Sequence, residues 1–287
     1  MKTPIGTLVG CASTAALAVI IGCASVPRLG AAEPAASKLI AHRAVYDLTL
    51  ARTRGNSQMQ SVRGRILYDF NGSACEGYTL NFRQLSELDT GEGKVAVSDL
   101  RSTTWEDGAG KQFRFSAENN LNDRQVESVE GEARRRSDAI AVTLTKPQDK
   151  SFDLEAKIVF PTEHMGRIIE AARAQKTLLE LPVFDGSENG EKVYNTLTVI
   201  GPPIPPNERK PTDAAAGQGV LEGMIRWPAT ISYFDRSKTA GEQTPVYAIS
   251  FELYENGISR ALSLDYTDFI IRGEMTSLEI KDSKACP

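Results

Sequence analysis

The chain predicts a mainly β protein, a long antiparallel sheet accompanied by one amphipathic helix. Three observations carry that reading. Beyond residue 40, apolar and polar residues alternate with period two over run after run, the pattern of half-buried strands. Short turns holding Asp-Gly, Asn-Gly or lone glycines separate the runs. Only one stretch, after Pro161, spaces its apolar residues as a helix does.

The first run starts at His42, with Ala44, Tyr46, Leu48 and Leu50 on one face and Arg43, Asp47 and Thr49 on the other. Further strands are predicted at 60–70, 75–87, 94–106, 111–118, 123–135 and 138–145. Asp107-Gly108-Ala109-Gly110, between Thr104-Trp105-Glu106 and Phe113-Arg114-Phe115, predicts a hairpin. The helix falls at about 162–176, where Met165, Ile168, Ile169 and Ala172 make one apolar stripe. Thr162 is its expected N-cap, and Glu163 suits the positive end of the dipole. A single such helix among strands must cover a sheet face or plug an open barrel. Residues 202–219 hold five prolines and Ala214-Ala215-Ala216-Gly217 without periodicity, which predicts an exposed, mobile loop. Near the end, 246–254 and 258–266 flank Asn256-Gly257, which predicts a hairpin with a type I′ turn.

The N-terminus reads as a secretory signal, residues 1–32, preceding a single β-rich domain at 33–287. Lys2 supplies the basic start, residues 5–21 the apolar centre, and small residues the exit. No stop-transfer charges close the run. Ile20-Ile21-Gly22-Cys23 is similar to a bacterial lipobox and makes Cys23 a candidate for lipidation, whereas Gly30-Ala31-Ala32 offers an ordinary cleavage site. Membrane contact is expected only in the lipidated case. Beyond residue 32 lie 255 residues, with 31 of the 33 basic residues and all 37 acids, a formal −6. Such an acidic balance argues against nucleic acid as a partner. Arg134-Arg135-Arg136 is the one basic cluster and more simply tips a strand than binds phosphate.

Of four cysteines, Cys11 and Cys23 lie in the leader, leaving Cys75 and Cys286. In an oxidising compartment their simplest use is a disulfide tying the two ends together. Metal binding is the rival use, but no CxxC or HxxH spacing accompanies it, so no metal and no cofactor are expected. Catalytic residues are not expected either. His42 and His164 are the only histidines, no nucleophile elbow accompanies them, and no Gly-rich phosphate loop opens a helix. Asp185 and Glu106 each stand beside an aromatic residue and could serve a sugar site, but an Asp-Gly turn and a strand-end Trp explain them more simply.

Several segments, taken in order, resemble the EipB-like family of alphaproteobacterial envelope-integrity proteins. They are Thr104-Trp105-Glu106, Phe160-Pro161-Thr162-Glu163-His164-Met165, Phe184-Asp185-Gly186, Leu253-Tyr254-Glu255-Asn256-Gly257 and Leu264-Asp265-Tyr266-Thr267-Asp268-Phe269. The resemblance implies a periplasmic protein built as a spiral, incompletely closed antiparallel barrel around a central helix. It also implies a disulfide from an early strand to the C-terminal end, carried here by Cys75 and Cys286, and a role in the cell envelope without catalysis. The chain departs from the family at Cys23, since a lipobox would tether a protein otherwise expected to be soluble. It departs again over 153–159, where a glycine-containing turn is expected before Phe160-Pro161.

The leading functional expectation is a non-enzymatic periplasmic protein that binds another envelope protein, using the exposed edges of its sheet for strand addition. The alternative is a carrier of lipid or an acylated protein, gripping an amphiphile inside the open barrel with Met165, Ile168 and Ile169 lining the cavity. A third, a wall-glycan hydrolase, rests only on Asp185, Glu106 and His164.

Overall fold

The computed structural model describes residues 39–283 and 286, without 92, 94, 218 and 238–243. The leader, with Cys11 and Cys23, lies outside the described residues. Among those described, fourteen strands form one antiparallel sheet. Eight of them, β1 (His42–Thr53), β2 (Ser61–Ser73), β3 (Gly77–Asp89), β4 (Val95–Glu106), β5 (Gln112–Leu121), β6 (Arg124–Arg135), β7 (Ala139–Lys146) and β8 (Lys150–Glu155), meander in chain order. The helix α1 (Pro161–Arg173) follows. A second meander returns through β9 (Leu178–Val183), β10 (Tyr194–Ile200), β11 (Arg226–Asp235), β12 (Tyr247–Tyr254), β13 (Ser259–Asp265) and β14 (Phe269–Ile280). The meanders join where β14 pairs antiparallel with β1, from His42↔Ile280 to Thr53↔Phe269. That leaves β8 and β9 as the two edges, so the sheet curls without closing into a barrel. One parallel bridge, Val159↔Val183, and the Arg236–Glu155 ion pair span the gap.

Period-two alternation places the side chains as the sequence predicts. In β1, Ala44, Tyr46 and Leu48 are buried, while Arg43 and Thr49 are exposed. The outer face carries cross-strand ion pairs, such as Arg83–Asp99 at 2.9 Å and Arg65–Asp47 at 2.8 Å. Exposed pairs of this kind contribute roughly 0–1 kcal/mol each. The seven early strands and both hairpins form where expected, whereas β8 to β11 and β14 were not foreseen. Pro228 hides β11, because an interior proline argues against a central strand. Its missing N–H costs nothing here: pairing with β10 stops one residue later, at Ile200↔Ala229. The segment 153–159 needs no glycine either, since none of its residues takes a positive φ.

Three local expectations are corrected. Asn256-Gly257 makes the hairpin but not a type I′ turn, because only Gly257 has positive φ, +91°. Its N–H donates to Tyr254 O at 2.9 Å, and Leu39 lies 2.7 Å from where a Cβ on Gly257 would stand. The loop at 202–219 is not simply exposed. Ile204, Asp213, Ala215 and Ala216 are buried, and the two alanines pack with Leu221 into the core beside β1 and β14. Its anchor is a buried charge network. Arg260 holds Asp213 (Nε to Oδ1 2.8 Å) and Glu252 (2.5 Å), while Arg226 donates to Glu252 at 2.6 Å and to Arg209 O. Two cations against two anions keep this network neutral, as burial requires.

The third correction concerns α1. Thr162 is not the N-cap; the helix starts at Pro161, and Phe160, in the cap position, makes no side-chain bond. The capping group comes from β4 instead. Glu106 accepts the Thr162 N–H at 2.7 Å and the Glu163 N–H at 2.8 Å, satisfying two of the donors every helix start leaves open. Arg135 braces the same corner, bonding Gly110 O and pairing with Glu163 at 2.9 Å. The helix ends at Arg173, short of 176, where Ala174 and then Gln175 (φ +58°) leave helical geometry. Ile168 and Ile169 are fully buried against residues such as Phe70, Trp227 and Leu253. Each contributes about 2–3 kcal/mol by area. The helix thus plugs the curl, and among the described residues no helix is long and apolar enough to cross a membrane.

Cys75, in the turn between β2 and β3, is disulfide-bonded to Cys286, with Cα atoms 5.6 Å apart. The bond ties Cys286, beyond β14, to the β2–β3 turn near the start of the first meander. Loop-closure entropy for a separation of 211 residues gives an upper figure of about 5 kcal/mol. Cys75→Ser should therefore lower the melting temperature and speed proteolysis while the β signal persists at low temperature; equal melting of oxidised and reduced protein would contradict this.

Glu106 is only 3% exposed, and that burial pushes its carboxyl up to about 7 against the helix N–H groups, which favour the ionised form. A carboxyl whose folded value exceeds its unfolded one holds its proton longer when folded, so stability falls as pH rises through about 4.5–7. Glu106→Gln should remove that slope. Denaturant melts at pH 5 and pH 8 should show the wild type losing up to about 3 kcal/mol more than the variant. Parallel losses would refute the assignment.

Candidate functional site

The inward-facing residues of the curled sheet do not fill its interior. They enclose a cavity of about 500 Å³ walled by β1–β4 on one side and β11–β13 on the other. Because alternate residues point inward, each of these strands supplies between one and four lining residues. Leu80, Phe82 and Gln84 come from β3, Tyr247, Ile249 and Phe251 from β12. Most of the wall is apolar. Of the three helix residues expected to line it, only Met165 does so. Ile168 and Ile169 are corrected to core residues: the stripe of α1 is wide enough that its centre is sealed against the sheet and only its margin reaches the open space.

At one end His42 stacks on Tyr68, with ring centroids 5.5 Å apart, and its Nδ1 lies 2.8 Å from Ile40 O. Burial lowers its pKa, which favours the neutral ring. Polar groups gather at the other end: Asp185, Tyr233, Tyr247, Tyr266, Gln84 and Asp265. Tyr266 is 39% exposed, which marks this end as the side where the lining meets solvent. Tyr233 and Tyr247, opposed on β11 and β12, stack at 4.3 Å, and Tyr194 meets both rings edge-on at 5.8 and 6.0 Å. Arg54 holds Asp265 through two bonds, 2.7 and 2.8 Å.

Asp185 stands in the Asp-Gly turn after β9. Its Oδ1 accepts the Ser187 N–H at 3.0 Å, and burial raises its carboxyl above the usual carboxylate range. Gly186, at φ +69°, lets the chain turn directly under Phe115, whose ring lies 2.4 Å from where a Cβ would stand. This turn is what aims Asp185 into the cavity.

The residues considered for hydrolysis do not converge. Asp185 lines the cavity; Glu106 and His164 do not. Glu106 is committed to the helix start. His164 is buried with Thr196 Oγ1 3.4 Å from its Nε2, and burial lowers its pKa to about 4. Trp105 faces outward beneath Arg114, 4.9 Å from its ring centre, and does not line the cavity. Among the described residues no group of three or more His, Cys, Asp or Glu side chains could hold a metal ion. The tyrosine cluster is not among the groups the sequence singles out. The reason is that Tyr233 lies on β11, which the sequence does not predict, and only the structure sets it opposite Tyr247 on the neighbouring strand.

A family model described as EipB-like matches residues 33–282. A Brucella abortus protein named cell envelope integrity protein EipB is 40% identical over 255 residues, covering 88% of this chain and 89% of that protein. The crystal structure of a beta-barrel-like protein of a domain of unknown function, also from Brucella abortus, aligns with a TM-score of 0.78 at 39% identity. That alignment covers 86% of this chain and all of the other.

Proposed function

This chain belongs to the EipB-like family, and from that premise we propose that it supports cell-envelope integrity as a non-enzymatic binding protein of the periplasm. Its occupant, in this reading, is an amphiphile: a lipid, or the acyl chain of a lipidated envelope protein. The relative's name supports the envelope role. The cavity supports the binding.

Protein interiors are close-packed, with few voids larger than a water molecule. A space of about 500 Å³ left dry would cost on the order of 12 kcal/mol at the penalty measured for engineered core cavities. That is as large as the whole net stability of a typical domain. One end of this space meets solvent, so water can enter it, but a wall this poor in polar groups gives that water few partners and suits an apolar chain better. The geometry thus favours the carrier over strand addition. Of the two edges, β9 is already met by Val159, whose N–H donates to Pro182 O at 2.9 Å. The edge strand β8 carries Lys150, Asp153 and Glu155, charges of the kind that discourage edge pairing.

Native mass spectrometry of protein purified without detergent tests the reading. The wild type should retain an amphiphile at fixed stoichiometry. Leu80→Trp, which fills the space from β3, should lose it with the melting temperature changed by no more than a few degrees. Wild-type protein that carries no amphiphile and takes up none when offered would remove the proposal.

A further inference from the structure

We infer that the polar end of the cavity is a subsite for an ammonium group, so that the occupant is an amphiphile with an amine or quaternary ammonium head. This rests on the amphiphile reading above and adds the chemistry of the head.

Asp185 is the central observation. Its carboxylate lines the cavity and, among the described residues, pairs with no lysine or arginine. Other aspartates drawn in from water here are neutralised: Asp213 by Arg260, and Asp69 by Arg43 and Lys281. The cation seven positions on, Lys192, is already committed. It pairs with Glu188 at 2.7 Å and Asp235 at 3.4 Å and lies 5.6 Å from the centre of the Tyr194 ring. A withdrawn carboxylate facing open space is a costly arrangement unless a cation arrives to meet it. Such a cation would also relieve the burial that raises Asp185's carboxyl.

The rings supply the second observation. Tyr233, Tyr247 and Tyr266 line the same end, and the Tyr233–Tyr247 stack carries Tyr194 against its edge. The electron-rich faces of such rings attract ammonium groups, more strongly where water is thin. An anionic head would meet Asp185 there, whereas an uncharged head would be tolerated without preference. The apolar remainder sets the tail. At roughly 30 Å³ per water-sized group, a space of about 500 Å³ holds roughly 16 heavy atoms, one chain rather than two.

The test is calorimetric titration of the full mature protein with dodecylamine, dodecanol and dodecanoate, each below its aggregation concentration. The wild type should bind the amine about tenfold more tightly than the alcohol, with the acid weakest. Asp185→Asn should bring amine and alcohol within about twofold while leaving the alcohol unchanged. Tyr233→Leu serves as a second variant and should also shrink the preference. Equal binding of all three probes, a preference for the acid, or an amine preference that survives Asp185→Asn would overturn the inference while the amphiphile reading stands. Binding of none would remove both. Competition against dodecylamine then separates the sources. Displacement by lysophosphatidylethanolamine assigns the head to a lipid, and displacement by an acylated lysine-bearing peptide assigns it to a lipidated protein. Displacement by neither counts against the subsite.

Discussion

The pairing of β1 with β14 is the constraint on which the rest of the molecule depends. Each meander is held by local turns and would curl alone, but neither encloses anything. Joining them from His42↔Ile280 to Thr53↔Phe269 brings β2–β4 opposite β11–β13, and the cavity exists only between those two walls. The seam links residues more than two hundred positions apart, so its closure is entropically the most demanding step of the fold. The Cys75–Cys286 bond lies just past the seam's end and acts on the same term, by limiting how far the two ends can separate when unfolded.

With the seam in place, the open curl must be stoppered, and it is stoppered by polar interactions between distant segments. Glu106 on β4 fixes the start of α1, and Arg260 on β13 fixes the 202–219 loop through Asp213. Both anchors are buried, and both leave the helix and the loop packed over the same curled interior. What remains unfilled is the cavity, apolar along most of its length and acidic and aromatic toward solvent. Asp213 and Asp69 are matched by cations and Glu106 is held by the helix N–H groups, whereas Asp185 accepts the Ser187 N–H and pairs with no lysine or arginine among the described residues.

Much of the fold was legible because its signals are local. Alternation located β1 to β7 and the β12–β13 hairpin, and one apolar stripe located α1. The strands β8 to β11 and β14 escaped because they are short, proline-bearing or flanked by loops without clear turn residues. The Thr162 cap failed for a different reason: a side chain from another element supplies a better acceptor than the local hydroxyl. The type I′ turn failed because a left-handed glycine alone satisfies a longer loop. Of the candidate site, Met165 was foreseen, while Ile168 and Ile169 went to the core and the tyrosines were not recognised as a group.

By itself the sequence determined which residues face inward, where most of the chain turns, the acidic balance and the presence of just two cysteines beyond the leader. Those follow from the two-residue repeat of a strand and from the composition, neither of which needs a partner. Tertiary structure alone decided that β14 returns to β1, that Glu106 caps a helix 55 residues away, and that Asp185 meets tyrosines from β11 and β12 at the rim of an open space. Periodicity says which side of a strand is buried, but not against what; that is settled only when distant segments compete for the same neighbours and the pairing that buries most apolar surface prevails.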